Sequence, residues 1–232
     1  MFPPSSEFSG KAKIGSLEEY QAIYDRAKDD PESFWDEIGK SELHWFKPYD
    51  TVLKGMGTDV EWFVGGQTNM SFNCLDANIE AGHGDRPAII WEGEPGDTRT
   101  LTYAELHRDV CKFSNVLKGL GVGVGDVVSI YMPMTPEIAV AMLACVRIGA
   151  IHSVIFAGFS AEAIADRNND ANAKVQLTAD GLWRRGKCIP LKETVNKALE
   201  KSPTVEHCIV LKRCENDVEM QSGRDHWWHE LN

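Results

Sequence analysis

The sequence predicts an α/β fold: an N-terminal helical extension followed by a mainly parallel, doubly wound sheet. Three observations predict it. From Thr102 onward, β-branched apolar runs alternate with helical apolar spacing, in the order helix, strand, helix, strand, helix, strand, helix, strand. Strands separated by single helices require right-handed crossovers, and so parallel neighbours. Ahead of Pro87 the readable segments are helical and that alternation is missing.

The elements follow in order. Residues 1–15 carry Pro, Ser, Gly and Lys without periodicity and read as a flexible tail. Ser16 and Glu19 form a capping box, with Leu17, Tyr20, Tyr24 and Ala27 at helical spacing behind it. Asp30-Pro31 reads as an N-cap and a first-turn proline. That short helix is expected to bury Phe34, Trp35 and Ile38 and to stop at Gly39. Residues 45–66 are irregular and aromatic. A third helix starts near Asn69, with Phe72, Leu75 and Ile79 on one face. Residues 16–86 thus form the extension, and residues 87–232 begin the sheet domain.

In that domain, strands at 88–91 and 99–102 flank the turn Glu94-Pro95-Gly96-Asp97. Thr102 and Glu105 make a second capping box, and Leu106, Val110, Phe113 and Leu117 continue its helix. Strands follow at 127–132, 151–156, 174–178 and 207–211. The helix opened by Thr135-Pro136-Glu137 is apolar almost all round and should be deeply buried. Ser160 caps the next helix, and residues 190–200 form the last. Residues 213–232 lose the pattern. Trp227 and Trp228, close to the end of the sequence, need something to pack against, which predicts a piece of a longer polypeptide.

Composition narrows the function. The 232 residues are 43% apolar and 25% charged, enough for a core without staples. A net charge of -11 argues against nucleic acid or an anionic membrane as partner. The longest apolar run, 138–146, is far short of the ~20 residues that span a bilayer. The N-terminus lacks the apolar region of a secretory signal. None of the six cysteines forms a C-x-x-C pair. These features predict a cytoplasmic protein with reduced thiols and small-molecule partners.

Several motifs carry less than they suggest. The glycines at 119, 121, 123 and 125 match no G-x-G-x-x-G register and lie between a helix and a strand, which makes them an αβ turn. Gly158-Phe159-Ser160 lacks the final glycine of a nucleophile elbow, so Ser160 reads as an N-cap. His226 and His229 have metal-ligand spacing but no further converging ligand, and read as part of a solvated aromatic tail. No metal site is expected.

Two segments remain. Phe156-Ala157-Gly158-Phe159-Ser160 joins a strand's carboxyl end to a helix, where open α/β sheets bind ligands. Its phenylalanines could stack on a planar group or simply pack. Arg184-Arg185-Gly186-Lys187, with Lys192 following, is a positive focus beside an expected helix N-terminus. Arginine offers phosphate a planar fork and lysine a point charge. The competing reading is a solvated basic turn.

The residues Trp62-Phe63-Val64-Gly65-Gly66, Asn69, Asn73 and Asp76 resemble the N-terminal signature of AMP-forming acetyl-CoA synthetases, the acetate–CoA ligases of the adenylate-forming superfamily. So do the block 131–160, Trp91-Glu-Gly-Glu-Pro95, Thr178-Ala-Asp180 and residues 224–228. The resemblance implies a two-step reaction: ATP and acetate give acetyl-adenylate and diphosphate, then the thiol of coenzyme A displaces AMP. Magnesium accompanies ATP. It further implies that this chain is the N-terminal part of a longer ligase. The phosphate loop, the acyl and adenine pockets and the catalytic lysine would then lie in the remainder of the polypeptide. No catalytic residue is expected here, and the chain alone should be inactive and hold no cofactor. Carried onto this sequence, the family's basic tetrad at the coenzyme A 3′-phosphate falls on Arg184, Arg185, Gly186 and Lys187. The loop beside the coenzyme A adenine falls on Phe156, Ala157 and Gly158. Ala157 stands where the family has glycine and adds a Cβ. A propionyl-CoA synthetase, or a non-catalytic coenzyme A-binding fragment, are the alternatives.

Overall fold

The computed structural model describes residues 4–231. These fall into two compact units, one up to Thr68 and one from Asn69.

In the first unit a single turn of helix, α1 (Ser6–Ser9), lies within the segment read as tail, with Ser5 Oγ accepting from the Phe8 amide. In α2 (Leu17–Asp29) Ser16 Oγ caps the Glu19 amide at 3.1 Å. The Glu19 carboxylate reaches back to the Gly15 amide rather than to Ser16, so only one arm of the expected box closes on its cap residue. Asp30 caps α3 (Pro31–Glu42), with proline in the first turn. The helix does not stop at Gly39. It runs through it to Glu42, and a Cβ at Gly39 would stand 2.9 Å from the Phe63 ring, so this glycine serves close packing. Trp35 is exposed rather than buried. The irregular aromatic stretch contains an antiparallel hairpin, β1 (Thr51–Lys54) and β2 (Glu61–Val64), in register Leu53↔Trp62. The rings of Trp45, Tyr49 and Phe63 gather with centroids 5.0–5.3 Å apart.

The second unit opens with a π turn over Phe72–Asp76 that passes into α4 (Ala77–Glu80). Strands β3 (Pro87–Glu92) and β4 (Thr98–Thr102) form their own antiparallel ribbon and do not join the main sheet. The Thr102–Glu105 box is complete at the start of α5 (Tyr103–Gly119), with both reciprocal bonds made. Then come β5 (Val127–Ile130), α6 (Pro136–Arg147), β6 (Ile151–Val154), α7 (Ala161–Ala171) and β7 (Val175–Ala179). A second small hairpin, β8 (Gly181–Arg184) and β9 (Lys187–Pro190), precedes α8 (Lys192–Leu199) and β10 (His207–Leu211). Last are β11 (Asp225–Trp227) and α9 (Trp228–Leu231).

The main sheet has the order β11-β10-β7-β5-β6, and all its pairs are parallel. Central β7 is buried throughout, its polar Gln176 and Thr178 included, as a strand covered on both faces must be. Alternate residues serve opposite faces. Val128, Val175, Leu177 and Ile209 pack with α5 and α6, while Cys208 and Val210 pack with α7 and α8. The sheet is therefore doubly wound, as the alternation predicts. Adjacent β5 and β6 send their following helices to opposite faces, which opens a crevice at their carboxyl ends.

The terminal segment is not a solvated tail. β11 extends the sheet, and Trp228 is 6% exposed, stacked on Phe113 with centroids 3.9 Å apart. His226 does not converge with His229. It meets His207, ring nitrogens 3.2 Å apart, where burial and then the neighbouring imidazole hold the His207 pKa down. Among the described residues no helix is long and apolar enough to cross a membrane.

Candidate functional site

The crevice is a cleft of about 370 Å³. Met132 and Met134 line it beyond the end of β5, and Ile155, Phe156 and Ala157 beyond the end of β6. Trp183 and Arg184 come from β8, and Trp91 and Glu94 from the β3–β4 ribbon. Apolar walls with a few polar groups at one rim are the usual form of a small-molecule site.

The two segments singled out in the sequence meet here. A Cβ placed on Gly158 would lie 3.2 Å from the Phe156 ring and 3.8 Å from Arg184 Nη1, so the aromatic loop and the basic hairpin are in contact distance. Phe156 is 64% exposed, with its ring meeting that of Phe159 edge-on at 5.9 Å between centroids. The Phe159 ring is covered by the Arg167 guanidinium at 4.7 Å. Phe156 is thus the more exposed ring of an edge-to-face pair whose other member is also covered by an arginine. Ala157 has no positive φ, and its methyl packs against the apolar layer under α7 and α8. The Cβ that departs from the family's glycine is therefore accommodated by the core. Ser160 caps α7 through the Ala163 amide, as its spacing predicts.

The basic tetrad is the tip of the β8–β9 hairpin. Arg184 pairs with Lys187 across a two-residue turn in which Arg185 and Gly186 have φ of 53° and 70°. Such turns need positive φ at both central residues to follow the strand twist, which glycine adopts freely. Arg185 and Lys187 do not reach the cleft. They line an open hollow beside it, with Arg184 shared between the two. Among the described residues, none of the three cations forms an ion pair. The Gly186 amide donates to Glu94 Oε1 at 2.6 Å, which latches the tip to the ribbon.

Two expectations are corrected. The tetrad does not sit at a helix N-terminus, because β9 carries the chain away before α8 begins at Lys192. Any anion here is held by side chains and the turn, not by a helix dipole. Lys192 does not belong to the positive focus either. Its side chain is fully buried, and Nζ lies 2.7 Å from Asp225 Oδ2.

Sequence reasoning missed the groups that hold the site together. The Tyr131 hydroxyl donates to the Phe159 carbonyl, and Trp91 Nε1 donates to the Met134 carbonyl at 2.7 Å. Arg213 lies 5.1 Å from the Trp91 ring centre and forms a fork with Asp97 at 2.8 and 3.0 Å, so its charge is already matched. Asp180, fully buried, accepts from the amides of Gly181, Arg213, Cys214 and Asn216 at 2.7–3.1 Å, fixing the base of the hairpin. The turn around Glu94 was legible, but its partner 92 residues away was not.

A second polar cluster joins the π turn to α5 and α6. Arg147 forks onto Asp76 at 2.7 and 2.9 Å, and that guanidinium is the main cause of the lowered Asp76 pKa. His107 Nε2 meets both Asp76 Oδ1, at 3.2 Å, and Cys111 Sγ, at 3.6 Å. A nucleophile relay needs opposite ring nitrogens for acid and nucleophile, so this cluster is a structural clasp.

Comparison with known proteins bears on the same residues. Residues 76–230 match the model of the AMP-binding enzyme family, and residues 20–74 that of the acetyl-coenzyme A synthetase N-terminus. An acetyl-coenzyme A synthetase of Rhodopirellula baltica is 59% identical over 100% of this chain and 35% of its own length. One of Rubrobacter xylanophilus is 51% identical over 99% and 35%. Among solved structures, acetoacetyl-CoA synthetase from Streptomyces lividans superposes with a TM-score of 0.83 at 26% identity, over 97% of this chain and 35% of that one. The chain thus spans about a third of the length of these relatives. With most of its length matched by one family model and the preceding segment by the synthetase N-terminus, the chain belongs to the AMP-binding enzyme family.

Proposed function

We propose that this chain carries the coenzyme A phosphate site of an acetate–CoA ligase that forms acetyl-CoA, AMP and diphosphate through acetyl-adenylate. The observation that carries this reading is the meeting of Arg184, not neutralised by any described carboxylate, with the exposed ring of Phe156 at one cleft rim. A nucleotide with a phosphate a few ångströms from its base needs those two groups side by side. Arg184 forks onto the phosphate, Lys187 and Arg185 add charge from the hollow, and Phe156 with the Ala157-Gly158 backbone meets the adenine. These groups bind and orient the thiol donor for the second half-reaction. They do not act on the phosphorus of ATP.

ATP and acetate are proposed as the other substrates of the longer polypeptide. Among the described residues no group of three or more His, Cys, Asp or Glu could hold a metal. Magnesium is proposed to accompany ATP. The relatives' names favour acetate over other acids. A cytoplasmic location fits the acidic charge and these substrates.

The test is Arg184→Ala in the longer ligase. The apparent KM for coenzyme A should rise roughly ten- to a hundredfold, the loss of a charge-assisted bond of about 1.5–3 kcal/mol. Acetate-dependent pyrophosphate exchange should stay near normal. Coenzyme A lacking its 3′-phosphate should distinguish poorly between variant and parent. Unchanged coenzyme A kinetics at low salt, or equal slowing of both half-reactions, would overturn the assignment.

A further inference from the structure

We propose that His207 and His226 form a two-histidine site for a divalent transition ion of the zinc class, which clips the edge strand β11 to β10.

The two rings are 19 positions apart in the chain and meet only because their strands pair. In the parallel register His226 lies opposite Ile209, and His207 stands two residues earlier on β10, so both side chains leave the same face of the sheet. His207 Nδ1 and His226 Nε2 are 3.2 Å apart, and the ring centroids 5.2 Å apart. Both residues are partly exposed, so water reaches the pair.

That spacing is the bite of a chelate. Zinc binds imidazole nitrogen at about 2.0–2.1 Å. Two such bonds, ending on nitrogens 3.2 Å apart, open an angle of about 100° at the metal, close to the tetrahedral value. They would hold the ring centroids about 5.0 Å apart, against the 5.2 Å observed. The strands need not move to admit the ion. Two imidazole nitrogens suit zinc, copper or nickel and do not suit magnesium or calcium, which take oxygen. The site is thus distinct from any magnesium that accompanies ATP. Among the described residues no third His, Cys, Asp or Glu converges on it, so water completes the coordination.

The charges nearby do not oppose a cation. The amides of Glu206 and His207 both reach the Lys174 carbonyl, at 2.9 and 3.5 Å, which makes Lys174 and Glu206 the charged neighbours. Lys174 Nζ is held by the Gly121 carbonyl at 2.7 Å and by Asp126 at 3.4 Å, so its charge is matched. Glu206 adds an exposed carboxylate.

Above the ordinary histidine pKa of about 6.5 both rings are neutral, and one donates to the other. An ion between them needs the lone pairs of both facing nitrogens. The donor ring therefore moves its proton to its far nitrogen, a change of tautomer that releases no net proton and oxidises nothing. β11 has only three residues and lies at the sheet edge, so a clip to β10 favours the folded state. The competing reading is a plain hydrogen bond between two rings.

The experiment adds zinc chloride to this chain at about pH 7.5, where free imidazole is neutral, and follows ring-nitrogen NMR and urea unfolding. Saturable one-to-one shifts are expected at His207 Nδ1 and His226 Nε2, with a urea midpoint that rises with zinc. Magnesium chloride should do neither. His207→Gln and His226→Gln, each alone, should abolish the shift of the surviving ring and the zinc dependence of the midpoint, while His229→Gln keeps both. Ring nitrogens of the pair that stay unmoved in excess zinc would overturn the proposal, as would shifts confined to His229 or to cysteine-bearing segments. Because the unmutated chain gives the first readout, a variant that fails to fold does not blunt the test. No coenzyme A is used, so the result is separate from the ligand reading above.

Discussion

The Tyr131 hydroxyl donates to the Phe159 carbonyl at 3.0 Å, tying the carboxyl end of β5 to the aromatic loop 28 residues later. Tyr131 is 2% exposed, and burial holds its phenol above the usual tyrosine range. The bond therefore keeps its proton across the whole neutral range.

Tyr131→Phe should cost about 1 kcal/mol, the typical net worth of one hydrogen bond, with the ring's packing kept. Urea unfolding should show a lower midpoint with an unchanged slope. A shift within experimental error would mean that water replaces the bond at the loop.

Asp180→Asn should cost more, about 2–3 kcal/mol. The amide replaces one acceptor oxygen by an NH2 that faces backbone N–H donors, and it removes the charge that four amides share. Urea unfolding measures it. Faster proton exchange at the amides of Cys214 and Asn216 would place the damage in this loop.

The buried Lys192–Asp225 pair gives an acid dependence of known sign. Burial opposes the charge on Asp225, but hydrogen bonds from Arg224 and Lys192 outweigh it, and the net pKa is lowered. Asp76 is lowered as well, chiefly by Arg147. Carboxyls held below their unfolded value of about 3.9 bind fewer protons in the native state than in the unfolded one. Their stabilisation is complete above that pH and is lost as pH falls through the folded values. Urea midpoints should be flat from neutral pH toward the upper 4s and fall steeply below about 4. Lys192→Met should lose about 3–5 kcal/mol at neutral pH, because Asp225 keeps only Arg224 as a charged partner. Its acid dependence should be shallower than that of the parent.

This chain by itself is expected to form no acetyl-adenylate. Its cleft offers Arg184 to a phosphate but no set of donors around a transferring phosphorus. Pyrophosphate exchange with acetate and ATP should stay at background. A rate well above background would reveal a triphosphate site within these residues.

What the sequence determined was local. The Thr102–Glu105 box, the proline start of α3, the Ser160 cap and the strand–helix alternation rest on residues within a turn of each other, so composition and spacing suffice to read them. The position of Phe156, Ala157 and Gly158 at a strand's carboxyl end was legible for the same reason. The tertiary structure decided every partnership made across long stretches of chain. It placed Arg184 beside Gly158, latched Gly186 to Glu94, buried Lys192 against Asp225, and stacked Trp228 on Phe113. The hairpin at Gly181–Pro190 and the three-residue β11 were invisible because strands so short carry too few alternations to show a period. A basic or aromatic side chain has the same hydropathy whether it faces water, a phosphate or a buried carboxylate. Only the geometry that brings its neighbours within a few ångströms selects among them.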